Sequence, residues 1–246
     1  NEFLAGGNYA FFGVSRAGSL VFLAGDSGAR NALVLVDRHG AVTKLREGTG
    51  ERPRFSPNAD AVVGGDSAQI WTYDLARGGT RTQLTSGAPR YVPVWSPDGS
   101  RIALSSYESG PASLFLMPFS NPGQAKRVME NANRQYASSW CHDGSCLAYV
   151  EVDPKTGFDI WVLSTDGKTP PVPVVRTEFE EYQARFSPAG NLLAYTSERS
   201  GGRAEVYVQG YPAAGQPERV STEGGSEPVW RGDGRELYYR IGDRIM

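Results

Sequence analysis

One short pattern recurs six times along this chain and limits what the chain can fold into. In its clearest copy, Tyr91–Leu104, an apolar strand is followed by the turn residues Pro97-Asp98-Gly99 and a second apolar strand, which predicts a β-hairpin. One apolar or aromatic residue just before the turn marks each copy: Val14, Phe55, Trp95, Trp140, Phe186 and Trp230. These positions are 41, 40, 45, 46 and 44 residues apart. Such a period is typical of a β-propeller blade of four strands.

The sequence therefore predicts an all-β fold, a six-bladed β-propeller of four-stranded antiparallel blades forming one domain over residues 1–246. The predicted blades cover residues 8–46, 47–85, 86–130, 131–176, 177–222 and, in part, 223–246. The sixth blade is incomplete at the C-terminus. Because an open sheet edge leaves backbone groups unpaired, we expect one of three closures: Glu2-Phe3-Leu4 as an added strand, Arg244-Ile245-Met246 as a third strand, or a second copy in a homodimer.

Composition argues against two classes of partner. Lys and Arg total 25 and Asp and Glu total 27, for a net charge of -2, so the chain lacks the positive field that favours nucleic acid. No apolar run approaches the roughly 20 residues needed to cross a bilayer. Residues 1–20 also lack the basic start and apolar centre of a signal peptide.

The two cysteines, Cys141 and Cys146, flank the predicted turn of the fourth blade. Two free, partly buried thiols are the favoured interpretation. A disulfide across the hairpin and a partial metal site with His142 are the alternatives, although two thiols and one imidazole fall short of a closed zinc site.

The sequence motifs of the repeats resemble those of a known family. The runs Trp95-Ser96-Pro97-Asp98-Gly99, Phe186-Ser187-Pro188-Ala189-Gly190 and Gln83-Leu84-Thr85 resemble the TolB-like propeller repeat, which is a WD-type repeat. The runs Asp159–Leu163, Ala204–Val208 and Pro228–Leu237 look like the propeller that follows the membrane segment of bacterial eukaryotic-like serine/threonine kinases. The resemblance implies an extracytoplasmic or periplasmic sensor or interaction module. It is specific for the fold and weak for function, because such propellers are attached to many activities.

The search for catalytic sequence motifs leaves open whether the chain is an enzyme. It contains neither the Gly-x-Ser-x-Gly elbow of α/β-hydrolases nor the phosphate loop and catalytic motifs of a kinase. The catalytic residues, if there are any, are not identified by the sequence.

The axial tunnel is the predicted site. In a propeller, the loops that lead into the first strands converge on one mouth of the tunnel, where polar rims and exposed aromatic side chains suit a partner. We expect a protein, a peptide or a small-molecule ligand to bind there through Tyr91, Tyr136, Tyr182, Arg90 and Arg134.

The alternative prediction is a metal-dependent hydrolase of the phosphotriesterase or lactonase type. Ca²⁺ takes six to eight oxygen ligands, and a bound divalent metal polarises a substrate oxygen. The predicted ligands of this axial Ca²⁺, or of another divalent metal, are Glu227, Glu181, Glu51 and Gln183.

Overall fold

The computed structural model describes residues 12–15, 17–24, 32–47, 51–66, 68–212, 215–242 and 244–246. These residues form six small antiparallel sheets that follow one another along the chain. The predicted all-β propeller of six blades is confirmed, and no helix in the described ranges is long and apolar enough to span a membrane.

The first three blades have four strands each. Blade one contains β1 Phe12–Val14, β2 Leu20–Ala24, β3 Ala32–Val36 and β4 Val42–Glu47. Blade two contains β5 Glu51–Phe55, β6 Ala61–Gly65, β7 Ile70–Asp74 and β8 Thr80–Gln83. Blade three contains β9 Arg90–Trp95, β10 Arg101–Ser106, β11 Ser113–Pro118 and β12 Lys126–Arg127, with a 3-10 helix at Pro122–Gln124.

Blades four and five also have four strands each, whereas blade six has three. Blade four contains β13 Arg134–Trp140, β14 Cys146–Asp153, β15 Gly157–Ser164 and β16 Val172–Val175. Blade five contains β17 Glu181–Phe186, β18 Leu192–Ser200, β19 Arg203–Gly210 and β20 Glu218–Arg219. Blade six contains β21 Ser226–Trp230, β22 Leu237–Ile241 and β23 Arg244–Ile245. Its three strands confirm the predicted incomplete blade. The strand β23 corresponds to one of the three expected closures, whereas Glu2-Phe3-Leu4 lies outside the described residues.

The first strand of each blade lies innermost, and these six inner strands contact one another around the ring. Each contacts the inner strand of the next blade, and β21 contacts β1. The ring is therefore closed at its centre, although the outer edge of β23 has no paired strand among the described residues.

The cores lie between blades, where the apolar faces of two sheets meet. Between blades three and four, Leu114 packs in one cluster with Trp140 and Leu147, and both leucines are fully buried. The indole of Trp140 also donates a hydrogen bond of 3.0 Å to the carbonyl of Val94 in the preceding blade. The repeated aromatic residue thus joins neighbouring blades by packing and by a polar contact.

The hairpin that recurs is held by a serine at its base. Ser96 Oγ accepts the backbone N–H of Arg101 at 2.9 Å and donates to Asp98 at 2.5 Å. The hydrogen bond from Ser96, together with those that Asp98 accepts from Ser100, lowers the pKa of the Asp98 carboxyl to about 2. The small polar residue of the motif is therefore a turn-forming residue.

The cysteine interpretation was wrong. Cys141 and Cys146 form a disulfide across the hairpin of blade four, and no free cysteine occurs in the described part of the chain. The reason is that the two residues face each other across the turn. The Cys141 N–H donates to the Cys146 carbonyl at 2.9 Å, and the Cα atoms are 5.2 Å apart, within the range for a disulfide.

One turn departs from the repeat and allows a test of backbone strain. Gly99 has φ of 72°, and Ala59, at the same position of blade two, has φ of 60°. A left-handed conformation costs an L-residue about 1–2 kcal/mol, partly offset by the unfolded-state entropy of glycine. We expect Ala59→Gly to raise the free energy of unfolding by about 1 kcal/mol, measured by urea denaturation.

The reverse change provides the comparison. Gly99→Ala should lower stability by a similar amount, because its Cβ would meet only Pro57 atoms at 3.8 Å and beyond, leaving the backbone as the cause. Gly123→Ala is the control, since Gly123 does not have a positive φ. Unchanged stability in both turn variants would contradict this account.

Candidate functional site

A distortion repeated in the inner strands aims side chains at the axis. In four of these strands the residue three positions before the repeated aromatic has a left-handed backbone: Arg52 (φ 50°), Val92 (54°), Gln183 (58°) and Glu227 (58°). Each lies at a break in strand register, where the inner strand has one more residue than its partner. Such a β-bulge redirects a side chain. Strained non-glycine residues of this kind concentrate at functional sites.

These residues and their neighbours line a narrow cavity on the axis. The volume of this cavity is about 30 Å³, which is room for about two water molecules. Its walls include the buried residues Val92, Tyr136 and Val150. The centre of the tunnel is thus small, and part of its wall is apolar.

The charge around this cavity is mainly positive. Its lining contains the guanidinium groups of Arg52, Arg54 and Arg185 and the single carboxylate of Glu227. Arg54 Nη1 donates to the carbonyls of Phe12 and Pro53, each at 3.1 Å. Arginines rather than a ring of carboxylates therefore dominate the axis.

Arg185 makes the same kind of contact from blade five. Its Nη1 donates to the carbonyl of Ala184 at 2.8 Å and to the carbonyl of Ser138 in blade four. Burial, followed by the charges of Arg54 and Arg52, lowers the pKa of the Arg185 guanidinium well below its ordinary value. Neutral oxygens thus hold this cation in place without neutralising it.

Glu227 is committed to an ion pair. Its Oε1 lies 3.2 Å from Arg240 Nη2, and both residues are more than nine-tenths buried. Burial raises the pKa of the Glu227 carboxyl, although the charges of Arg240, Arg54 and Arg52 oppose the increase. A cation at this carboxylate would compete with a guanidinium already bound to it.

Gln183 is brought beside Glu227 and serves as part of the framework. Its Oε1 accepts the backbone N–H of Glu227 at 2.7 Å and the hydroxyl of Thr196 at 2.9 Å. The amide oxygen predicted as a metal ligand is therefore used to connect blade five to blade six.

Glu181 is buried elsewhere, between blades four and five. Its Oε1 accepts the hydroxyls of Thr177 at 2.5 Å and Ser197 at 3.3 Å, while its Oε2 has no partner in the described ranges. Burial, and then the charge of Asp159, raises the pKa of the Glu181 carboxyl. Burial also raises the pKa of Asp159. A negative charge on Asp159 therefore makes it harder for Glu181 to ionise.

The predicted metal ligands are therefore not brought together as one set. Glu227 pairs with Arg240, whereas Glu181 has different partners, and the side chain of Glu51 lies outside the described residues. Among the described side chains, no group of three or more His, Cys, Asp or Glu residues is placed to hold a metal ion.

The predicted aromatic residues do share one region, the end of the tunnel at which β9, β13 and β17 begin, which we call the upper mouth. Tyr91, Tyr136 and Tyr182 belong to one apolar cluster there, with Val92, Ala112 and Val150 in its buried part. Tyr136 differs from the prediction of an exposed ring, because it is only 2% exposed. Its hydroxyl lies 3.2 Å from that of Tyr107, and its ring forms part of the cavity wall.

Tyr91 and Tyr182 keep part of their surface exposed. The Tyr91 ring packs edge-on against Tyr107, with centroids 5.8 Å apart. The Tyr182 ring packs against Phe158 at 6.3 Å, and its hydroxyl donates to Glu198 at 3.1 Å. These side chains form two aromatic pairs of one cluster, and they give blades three to five a partly exposed aromatic surface.

Sequence reasoning missed Tyr107 and Phe158. Tyr107 directly follows β10 and Phe158 lies near the start of β15, so both lie where the second strand of a blade connects to the third. Those connections reach the same mouth as the loops into the inner strands. Comparing the aromatic as well as the charged residues of these connections would have identified both.

The two predicted arginines lie at the rim of this surface. Arg90 forms an ion pair with Glu108 at 3.1 Å. Arg134 is partly buried at the start of β13, close enough to Tyr136 that its charge opposes the rise of the tyrosine pKa. An apolar surface with a charged rim resembles the arrangement of protein interfaces.

Six antiparallel blades around a narrow axial cavity define the chain as a six-bladed β-propeller. No protein-family model matches it. It is similar to the curated relatives described as "Tol-Pal system protein TolB". The relative from Gluconobacter oxydans (strain 621H) is 30% identical over 261 aligned positions, which cover 80% of this chain and 56% of the relative.

A second such relative, from Anaeromyxobacter dehalogenans (strain 2CP-C), is 30% identical over 99 residues, which cover 40% of this chain and 22% of the relative. The chain thus spans less than two thirds of the length of these relatives. The crystal structure of TolB from Acinetobacter baumannii has a TM-score of 0.76 at 19% identity, covering 96% of this chain and 59% of that protein. Together these likenesses define a TolB-like six-bladed β-propeller.

The raised pKa values of Glu181 and Asp159 have a consequence for stability. A carboxyl whose pKa is higher in the folded state binds its proton more tightly there, so its contribution to stability is complete below the unfolded value and is lost as the pH rises through the folded value. The ordinary values are 4.5 for Glu181 and 3.8 for Asp159. We expect Glu181→Gln to reduce the loss of stability as the pH rises above 4.5, measured by urea denaturation.

The exposed Glu218 supplies the control, since Glu218→Gln should leave the pH dependence of unfolding unchanged. A Glu181→Gln profile parallel to that of the unmodified protein would show that the buried carboxyl does not bind its proton as described.

Proposed function

We propose that this chain is a protein-binding propeller module that receives a partner polypeptide at its upper mouth. The observation that carries the proposal is the partly exposed aromatic surface of Tyr91, Tyr107, Phe158 and Tyr182. Large aromatic side chains supply much of the binding energy of protein interfaces. They also lose little conformational entropy when a partner binds.

The size of the axial cavity favours a polypeptide over a small organic ligand. Pockets for such ligands usually have volumes of about 300–1,000 Å³, whereas the volume of the axial cavity is only about 30 Å³. A partner loop would instead cover the mouth and contact the aromatic surface from outside.

The named relatives suggest the kind of partner. They are described as proteins of the Tol-Pal system, so we propose a protein of such a system, Pal in particular, as the partner. The finer expectation, that the propeller is most similar to that of bacterial eukaryotic-like serine/threonine kinases, stays a prediction. A homodimer joined through the open edge of β23 also stays a prediction, and the mass measured by light scattering would check it.

A metal-dependent hydrolase has less support. The described ligand candidates are divided between an ion pair with Arg240 and a separate buried site, and the axis carries more arginine than carboxylate side chains. Binding without chemistry is therefore the function that we propose.

The partner-binding surface is tested with two single variants. Tyr182→Ala and Phe158→Ala should each weaken binding of soluble Pal from the chain's own organism about 10-fold or more, as expected when an aromatic residue at the centre of an interface is removed. Calorimetric titration measures the affinity, and circular dichroism checks the fold of each variant.

Phe119 provides a matched control. It is 38% exposed and follows β11 at the opposite mouth, where its N–H donates to Ser100. Phe119→Ala should bind Pal with unchanged affinity. If the upper-mouth variants retain full affinity, or if the unmodified chain does not bind Pal, the proposed surface or the proposed partner is wrong.

We also propose an extracytoplasmic location. The support is the Cys141–Cys146 disulfide, because disulfides persist in oxidising compartments, together with the likeness to TolB. Protein recovered from its native cells under acid quench should take up no thiol reagent until it is reduced, and then two equivalents by mass spectrometry. Labelling of both cysteines before reduction would contradict this location.

A further inference from the structure

The axial cavity contains two arginines that make no contact with a carboxylate among the described side chains, although the charge of Glu227 acts on both from a distance. Arg54 and Arg185 line the cavity, and neither forms an ion pair with any described carboxylate. The carboxylate of the same cavity, Glu227, is bound to Arg240 on its Oε1 atom. Among the described side chains that line the cavity, positive charge therefore exceeds negative charge.

The hydrogen bonds of the two arginines leave donors directed elsewhere. Each uses Nη1 on neutral oxygens, Arg54 on two carbonyls and Arg185 on two carbonyls and the Ser138 hydroxyl. A guanidinium has five N–H donors, so each retains donors that no described residue accepts. These donors suit an anion, for which arginine has a strong geometric preference.

The electrostatic surroundings increase the need for a counterion. Burial, followed by the charge of Arg52, lowers the pKa of Arg54 to about 10, and burial also lowers the pKa of Arg185. The cavity walls include the nearly fully buried Val92, Tyr136 and Val150. Charges interact more strongly in such a poorly solvated environment than in water.

We propose that the axial cavity binds one small anion, a halide ion or a carboxylate group, between the guanidinium groups of Arg54 and Arg185. The cavity has room for about two water molecules, which fits a halide or the two oxygens of a carboxylate. The anion would connect Arg54 of blade two to Arg185 of blade five and so join opposite parts of the ring.

The carboxylate could come from solution or from an acidic side chain of a polypeptide at the mouth. Both sources have the same chemistry, and the site does not depend on the partner proposed above. If the chain does not bind Pal, the proposed anion site is unaffected. If the cavity binds no anion, the proposed aromatic surface is unaffected.

Anomalous diffraction is the direct test. Crystals of the unmodified chain, grown in gluconate and soaked in bromide, should show a bromide peak about 3–4 Å from guanidinium nitrogens of both arginines. Absence of a peak on the axis, when surface sites are occupied, would overturn the proposal and leave the arginines as supports for backbone carbonyls only.

Thermal unfolding gives a second, solution readout. At constant ionic strength, replacing gluconate by chloride, bromide or formate should raise the Tm by a few degrees and then saturate, as for a ligand that binds only the folded state. Arg185→Gln should abolish this saturable increase, whereas the exposed Arg77→Gln should retain it. An equal response in gluconate and chloride would contradict the site, and if Arg185→Gln does not fold, the bromide peak decides.

A peptide arm distinguishes the two sources. The capped peptide acetyl-Gly-Glu-Gly-amide and its Glu→Gln counterpart are soaked into bromide-loaded crystals. Loss of the bromide peak with the acidic peptide alone assigns a tethered carboxylate as a ligand of the site, whereas retention of the peak with both peptides assigns a free ion.

Discussion

A four-stranded blade has two apolar faces, and only another blade can cover each of them. This constraint explains why the blades form a ring and why the cores lie between sheets. The contact between Leu114, Trp140 and Leu147 shows how one blade completes the core of the next. Burial of such side chains contributes about 1.5–3 kcal/mol each, so the ring is stabilised by its inter-blade surfaces more than by any single sheet.

Bulges in the inner strands shape the axis. The inner strands carry bulges at Arg52, Gln183 and Glu227, and these three residues line the axial cavity. The left-handed backbone of these residues costs about 1–3 kcal/mol each, a cost that the surrounding sheets overcome.

The two ends of the propeller have different chemistry. One end contains the repeated hairpins, whose serine and aspartate side chains bond to their own turns. The other contains the loops that lead into the inner strands, with aromatic rings such as Tyr182 and Phe158 packed across blade boundaries. A partner that approaches the second end meets a surface drawn from several blades, whereas Arg54 and Arg185 lie deeper, on the axial cavity.

The sequence alone determined the number of blades, their order and the incomplete sixth blade, because a period of about 40–45 residues leaves one arrangement for strands of this length. It also placed Tyr91 and Tyr182 at the same mouth, since the connections of a propeller alternate between its two ends. The tertiary structure alone decided which side chains share an environment. Arg185 and Arg54 are 131 positions apart in the chain, and their meeting at the axis depends on bulges that the repeat pattern does not reveal. The sequence likewise predicted Glu227 as a metal ligand, and only the folded ring showed that its carboxylate forms an ion pair with Arg240.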